Sequence, residues 1–355
     1  MGDEMRPAVN AFAGRVGGNQ EFILDRNDPD NRSLLEQNPD AAPMIPLRQL
    51  FDLRGLWNVL LWKQAFAEGM GTLILVYATG YMATSPNIHT PPPSPTSGPF
   101  STTSFLGALI GGITSTIFLT IAILTFGPIT GGHLNPFITI ATFVIRLTSL
   151  PRAILYIGFQ LVGASLAGLL IRASWGSRDF KVGGCFLFEA QGATVGSAFV
   201  TEFVGSLSLI ILVFGVALDP RNKAVLGPVL GPFLVGSTLG VLSFGLSFGK
   251  EGYGGPSMNP ARCFGAYVGS RFPGWHWVHW VGPIAAAVAH AIMYAAVPPW
   301  ELRGQIEEVE TREGKVGMTP TVGSSTLGDG HTHAVVPRPK GIQDGGSDAG
   351  RGEEV

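Results

Sequence analysis

The chain has 355 residues, of which only 14% are charged, with 49 Gly, 26 Pro, a formal net charge of −2 and a positive mean hydropathy. A soluble domain carries roughly 25% charged residues, so most of this chain belongs in a bilayer, and the lack of a basic run with interleaved aromatics argues against nucleic acid as a partner. Two cysteines, Cys185 and Cys263, and seven His without HExxH-like spacing give neither a disulfide framework nor a metal site, and no cofactor is expected.

Residues 1–55 are rich in Asn, Asp, Arg and Gly and read as a disordered tail. A sequon at Asn31 in that tail reads as chance. Six stretches then have the length and apolarity to cross a membrane: 65–85, 104–126, 153–173, 198–217, 225–248 and 276–297. The first lies too far into the chain for a cleavable signal peptide. The Pro-rich connection 90–99 is a stiff linker between the first two spans. Residues 301–355, including the His-Thr-His at 331–333, form a second polar tail. Domain limits follow as tail 1–55, membrane domain 56–300 and tail 301–355.

Basic residues set the expected orientation. Arg48, Arg54 and Lys63, then Arg146 and Arg152, then Arg221 and Lys223, then Arg303 all fall on one side of a six-span chain. Both termini are therefore expected in the cytoplasm. Arg172, Arg178 and Lys181 sit on the other side with Asp179 and Glu189, so the bias is supportive.

The chain repeats itself. "FAEGMGTLILVY" (66–77) and "VTEFVGSLSLII" (200–211) share Glu, then Gly three later, then a hydroxyl residue and an aliphatic run. "GGHLNP" (131–136) and "GGPSMNP" (254–260) share an Asn-Pro pair behind glycines. The two related halves, about 65–175 and 197–298, hold three spans each, and an odd number inverts the second copy in the bilayer.

Asn is a strong helix N-cap and Pro is tolerated at the first helical position, so each Asn-Pro pair starts a helix. The apolar run at 137–145 is too short to cross a bilayer. It reads as a re-entrant half-helix, and the Gly-rich lead-ins line a path, because irregular backbone at membrane depth is tolerated only in protein or at water. The fold class is an all-α membrane protein with six transmembrane helices and two re-entrant half-helices in an inverted repeat.

With its two Asn-Pro boxes, "LNPF" and "MNPARC", each behind an acidic-Gly helix, the sequence resembles the major intrinsic protein family of aquaporins and aquaglyceroporins over about 65–299. That resemblance implies a passive channel rather than an enzyme. Asn135, Pro136 and Phe137 stand in the first box, and Asn259, Pro260 and Ala261 in the second. The two Asn side chains donate to a permeant oxygen, with the half-helix dipoles behind them equal to about one positive charge. At about 4 Å and an effective dielectric near 20, such a charge opposes a cation by about 4 kcal/mol, roughly three decades in rate.

The resemblance further places Ser115, Ser247, Pro256 and Arg262 at the selectivity filter. A charged Arg in a membrane segment is expected to face the bundle interior or water. Carbonyls of Gly131, Gly132, His133, Gly255 and Ser257 are to accept from water along one wall, and Glu68 and Glu202 are to hold the re-entrant loops. Phe137 departs from the usual Ala, and its ring is expected to disturb packing and pore width. Ser115 and Ser247 depart from the aromatic and His of water channels and the aromatics of glycerol channels. Cys263 replaces the Asp of glycerol-type members, and Trp280 resembles an aromatic of the water-selective group. Cys263 reads as a buried small residue, with mercury sensitivity of its thiol as the other reading.

Water in a lipid bilayer is the expected partner, with glycerol, hydrogen peroxide or urea as the alternative permeants. A homotetramer follows from the resemblance alone. The plasma membrane is preferred because no retention signal ends the chain. A secondary transporter shares inverted repeats and broken helices, but Glu68 and Glu202 already have a structural role and no other acid-base set lies in the spans.

Overall fold

The computed structural model describes residues 11–18, 23–84, 103–248 and 252–296. The Pro-rich connection at 90–99 and the second tail lie outside the described residues. Among those described, structure is helical apart from turns and one isolated antiparallel bridge, Leu187 with Tyr253.

Two short helices, α1 (Arg32–Gln37) and α2 (Leu47–Leu50), precede the membrane domain. Among the described residues, six helices are long and apolar enough to cross a bilayer. They are α3 (Val59–Met82), α4 (Thr103–Thr130), α6 (Leu150–Trp175), α7 (Val195–Val213), α8 (Pro220–Ser247) and α10 (Val278–Ala296). Two half-helices lie between them, α5 (Pro136–Val144) and α9 (Pro260–Gly269).

Local signals explain the ends. Asn58 caps α3 by accepting from Leu60 N–H, and Thr194 and Ser197 form a reciprocal capping box on α7. Gly176, at φ 81°, ends α6 in the left-handed region. Gly227, at φ 65°, breaks the helical backbone between Pro220 and Ser247 near the start of α8.

The repeat is visible in the packing. Helix α3 packs on α6 as α7 packs on α10, half-helix α5 packs on α10 as α9 packs on α6, and α4 packs on its counterpart α8. The N-termini of α5 and α9 meet through their caps, while the end of α5 reaches the Ile45 segment and the end of α9 reaches Phe180. Opposed half-helices of nine and ten residues reach about 14 Å each at 1.5 Å per residue, so together they span the apolar layer.

Small residues make this possible. A Cβ on Gly163 would overlap the Gly69 carbonyl, and one on Gly168 would overlap that of Gly265. The Gly163–Gly168 stretch therefore serves contacts inside the chain, between α6 and its neighbours α3 and α9. Outward faces stay apolar: Ile110, Ile113, Ile117, Ile121 and Leu124 form an exposed stripe on α4 at helical spacing, as do Val281, Ile284, Val288 and Ile292 on α10.

The N-terminal region differs from the disordered tail expected of residues 1–55. Phe12, Ala13, Arg15 and Val16 are at most 3% exposed, and Leu35, Ala41, Ala42 and Ile45 are also buried. The polar composition hid a buried ion pair. Asp40 meets Arg152 of α6 at 2.7 Å and accepts from Ser149, and Ile45 and Arg146 exchange backbone and side-chain bonds. Burial raises the pKa of the Asp40 carboxyl, but Arg152 and Ser149 more than offset it, and the net value lies below the ordinary carboxylate range.

Replacing Gly168 by Val forces a side chain into the Gly265 backbone and is expected to destabilise the protein by at least about 2 kcal/mol. Gly158→Ala, inside α6 where no atom lies within 4 Å of the added Cβ, should not lower the thermal unfolding temperature in detergent and should raise it slightly, since Ala is favoured over Gly in a helix interior. Asp40→Ala leaves Arg152 buried without its counter-charge, at a cost of about 3–5 kcal/mol, and should expose residues 11–57 to limited proteolysis. Because the folded pKa of Asp40 lies below its unfolded value of about 3.9, the pair stabilises fully above that pH. Its contribution is lost as pH falls through the folded value.

Candidate functional site

The site begins with two residues whose backbones depart from the usual regions. Leu134 and Met258, one before each Asn, have φ 52° and 54°, in a left-handed region that costs a non-Gly residue about 1–3 kcal/mol. At Leu134 and Met258 alike, the N–H points to a buried carboxylate and the carbonyl to the facing loop. Leu134 N–H donates to Glu68 Oε1, which also accepts from Gln160 Nε2 at 3.0 Å. Ser257 and Met258 N–H donate to the two oxygens of Glu202 at 2.7 and 3.1 Å. Both glutamates are fully buried.

The Asn caps lock the halves together. Asn135 Oδ1 accepts from Phe137 N–H at 2.9 Å, and Asn259 Oδ1 accepts from Ala261 and Arg262 N–H at 3.1 and 3.3 Å. Asn135 Nδ2 donates to the Met258 carbonyl at 2.8 Å, and Asn259 Nδ2 to the Leu134 carbonyl at 3.2 Å. Each amide group has two hydrogens, so one crosses the junction and the second is left for the cavity that both Asn line.

That cavity has a volume of about 690 Å³. Much of its lining is apolar, with Leu75 and Val76 from α3, Leu209 and Val213 from α7, and Val235 and Leu239 from α8. Gly132, His133, Asn135, Ser257, Asn259 and Arg262 are among its polar lining residues. Ser115, Ser247 and Pro256, expected beside Arg262 at a filter, line the same cavity. The Ser247 hydroxyl turns back to the Ser243 carbonyl of its own helix. Gly254 takes a place in the wall, whereas a Cβ on Gly255 would run into Ser247.

Several expectations change. Phe137 does not narrow the cavity: its ring is fully buried in the core cluster that includes Leu209, Ile210, Val213, Ala286 and Ala287. The Gly131 carbonyl does not await water, since Val16 and Gly17 N–H donate to it at 2.8 and 3.0 Å. His133 Nε2 donates to the Gly14 carbonyl at 2.8 Å, and its Nδ1 meets Thr139 Oγ1 at 3.0 Å. Cys263 offers no thiol to mercury, because it is bonded to Cys185.

At the end of the cavity near the N-terminus, the wall is Val16 itself. Residues 11–18 sit over this proximal mouth. Phe12 lies against His133 and under the Arg152 guanidinium, 4.2 Å from the ring centroid, and Ala13 N–H donates to the Asp40 carbonyl at 2.7 Å. Gly17 lies directly against Ile123 and Gly127 of α4. An aromatic and two small apolar residues interleaved with glycines ("AFAGRVGG", 11–18) were the available signal for this segment. The distal mouth is bounded by the connection after α6, where Arg262 Nη1 donates to the Gly183 carbonyl at 2.6 Å. His279, also missed from sequence, donates from Nδ1 to Glu202 Oε1 at 2.5 Å.

A family model described as "Major intrinsic protein" matches residues 56–294. The chain belongs to that family. Curated relatives agree with this. The chain is 32% identical over 261 residues to "Probable aquaporin PIP2-8" of Arabidopsis thaliana, covering 72% of this chain and 86% of the relative. It is 36% identical over 239 residues to "Aquaporin-5" of Mus musculus, covering 67% and 81%. Among solved structures, the aquaglyceroporin from Plasmodium falciparum aligns with TM-score 0.49 and 19% identity over 66% of this chain and 96% of that one. As a major intrinsic protein, the chain is an integral, multi-pass channel-family member.

Residues 11–18 lie over the proximal mouth, so deleting residues 1–22 is expected to raise the osmotic permeability of proteoliposomes several-fold. Gly17→Leu, whose side chain meets Ile123, should raise it in the same direction. Equal permeability of both variants and the full chain would show that the segment does not obstruct flow.

Proposed function

We propose that this major intrinsic protein is a passive water channel that excludes protons and ions at the Asn135–Asn259 junction and at Arg262, and that its N-terminal segment covers one mouth. The observation that carries the reading is the crossed pair of Asn caps lining a cavity of mixed polar and apolar residues that also includes Arg262. A water in such a file finds hydrogen-bond partners at the two Asn side chains and the other polar lining groups, while the apolar lining residues offer it none. It therefore avoids the cost of an unpaired polar group without being held. A cation instead meets two helix N-termini and a guanidinium. Relatives named as aquaporins support the same substrate.

A second reading, passage of glycerol, hydrogen peroxide or urea, is favoured by the small Ser115, Ser247 and Pro256, which line the cavity together with Arg262 and with the aromatic Phe186 and Phe188. The basic bias of the proximal connections supports a cytoplasmic proximal face, and we assign the protein to the plasma membrane. The apolar stripes on α4 and α10 would face lipid or neighbouring subunits of a homotetramer.

Stopped-flow light scattering on proteoliposomes tests the reading, first with an impermeant osmolyte and then with glycerol. In protein lacking residues 1–22, rapid shrinkage without glycerol re-swelling is the expected result, with the full chain several-fold slower. Arg262→Ala in the same background is expected to admit glycerol several-fold faster while changing water flow less. Fast re-swelling of the unmodified protein would favour the broader solute channel. No flux above empty liposomes, with or without residues 1–22, would refute a channel.

A further inference from the structure

The distal mouth contains a covalent tie that the channel reading does not use. Cys185, in the connection after α6, is disulfide-bonded to Cys263 of α9, and neither is more than 4% exposed. Cys263 follows Arg262 directly, and Gly183 lies two residues before Cys185. Arg262 Nη1 donates to the Gly183 carbonyl at 2.6 Å and also reaches Cys185 Sγ at 3.5 Å. Disulfide and hydrogen bond thus close one small ring that contains the guanidinium.

Ordering a long Arg side chain costs entropy comparable with the net value of one charged hydrogen bond. The Gly183 carbonyl can therefore orient Arg262 only if it is itself fixed. On one side of the ring the fixing is done by packing: Gly265 of α9 lies against the Ala164 carbonyl, and Gly269 against that of Gly168. On the loop side, a Cβ on Gly184 would come within 2.9 Å of Arg262 Nη1, so the loop backbone has closed down on the guanidinium. A covalent bond holds two sulfurs closer than two thiols can approach. When it is cleaved at a buried site, one partner must move, and the half-helix wedged on the α6 backbone leaves that to the loop. The loop's remaining ties include the Tyr267 hydroxyl donating to the Cys185 carbonyl at 3.1 Å and the Gly183 N–H donating to the Ala83 carbonyl at 3.4 Å.

We propose that Cys185 and Cys263 are positioning residues for Arg262: their disulfide fixes the loop carbonyl that orients the guanidinium, and cleaving it opens the distal constriction to larger neutral solutes. This rests on the channel reading and on Arg262 lining the path. Cleavage by a small dithiol breaks the sulfur–sulfur bond and leaves two thiols. The dithiol supplies two electrons and two protons and closes to its own cyclic disulfide. With the distal face outside the cell, the oxidised form is the resting one.

The test uses full-length protein in liposomes, with the disulfide state read by thiol alkylation and mass spectrometry. Water and glycerol permeabilities are measured for untreated, dithiothreitol-reduced and reoxidised protein, and for Cys185→Ser/Cys263→Ser. The glycerol-to-water ratio is expected to rise several-fold on reduction and in the double variant, and to return on reoxidation. In Arg262→Ala, where the ratio is already high, reduction should change nothing further. An unchanged ratio with the bond demonstrably cleaved would overturn the proposal, as would an equal rise in Arg262→Ala or two alkylatable thiols in untreated protein. Absence of water flow from every sample, including protein lacking residues 1–22, would instead overturn the channel reading and the inference with it.

Discussion

A backbone that stops being helical in the middle of a bilayer leaves amides that lipid cannot satisfy. Glu68 and Glu202 meet that requirement, and the rest of the structure depends on them. Each carboxylate is buried and accepts N–H bonds from a re-entrant loop. The left-handed Leu134 and Met258 exist to aim those amides, and the same twist turns their carbonyls across the junction to the opposite Asn. Strain, buried charge and Asn caps form one unit. The two copies are supported differently, with Gln160 beside Glu68 and His279 beside Glu202.

Outside that junction the pseudo-symmetry gives way, and the two mouths are built by different means. At the distal mouth a disulfide and a loop carbonyl hold one cation. At the proximal mouth a peptide segment lies over the lead-in to α5, using backbone groups of Gly14, Val16 and Gly17. The segment is anchored at Asp40, whose ion pair with Arg152 links the N-terminal region to the bundle. Glycines permit the close helix approaches that leave the cavity its shape: Gly163 meets α3 and Gly168 meets α9.

Features governed by local chemistry were legible in the sequence. Long apolar runs give six spans because their length and composition leave few alternatives, and Asn-Pro gives two helix starts because capping and proline preferences coincide there. The repeated Glu and Asn-Pro elements also disclose the two halves. Contacts made by residues distant in sequence were not legible. Phe137 was expected to disturb the pore, but side-chain direction on a half-helix depends on the partner helix, and α10 provides a core for the ring. Residues 1–55 look disordered by composition, since the burial of Asp40 depends on Arg152, 112 residues later. Two cysteines 78 residues apart carry no local pattern. Their pairing had one available hint, both lying on the side that six crossings assign to the outside.

The most direct test of the account is a paired measurement of osmotic water flow and proton flux on the same proteoliposomes, using protein lacking residues 1–22 and the same protein carrying Asn135→Asp and Asn259→Asp. Each Asp could still cap its half-helix but would place a negative charge at the two helix N-termini. The account predicts fast water flow with no proton flux in the first protein, and proton or cation leakage only in the second. Proton flux accompanying water through the unsubstituted junction, or equal ion exclusion in both proteins, would contradict it.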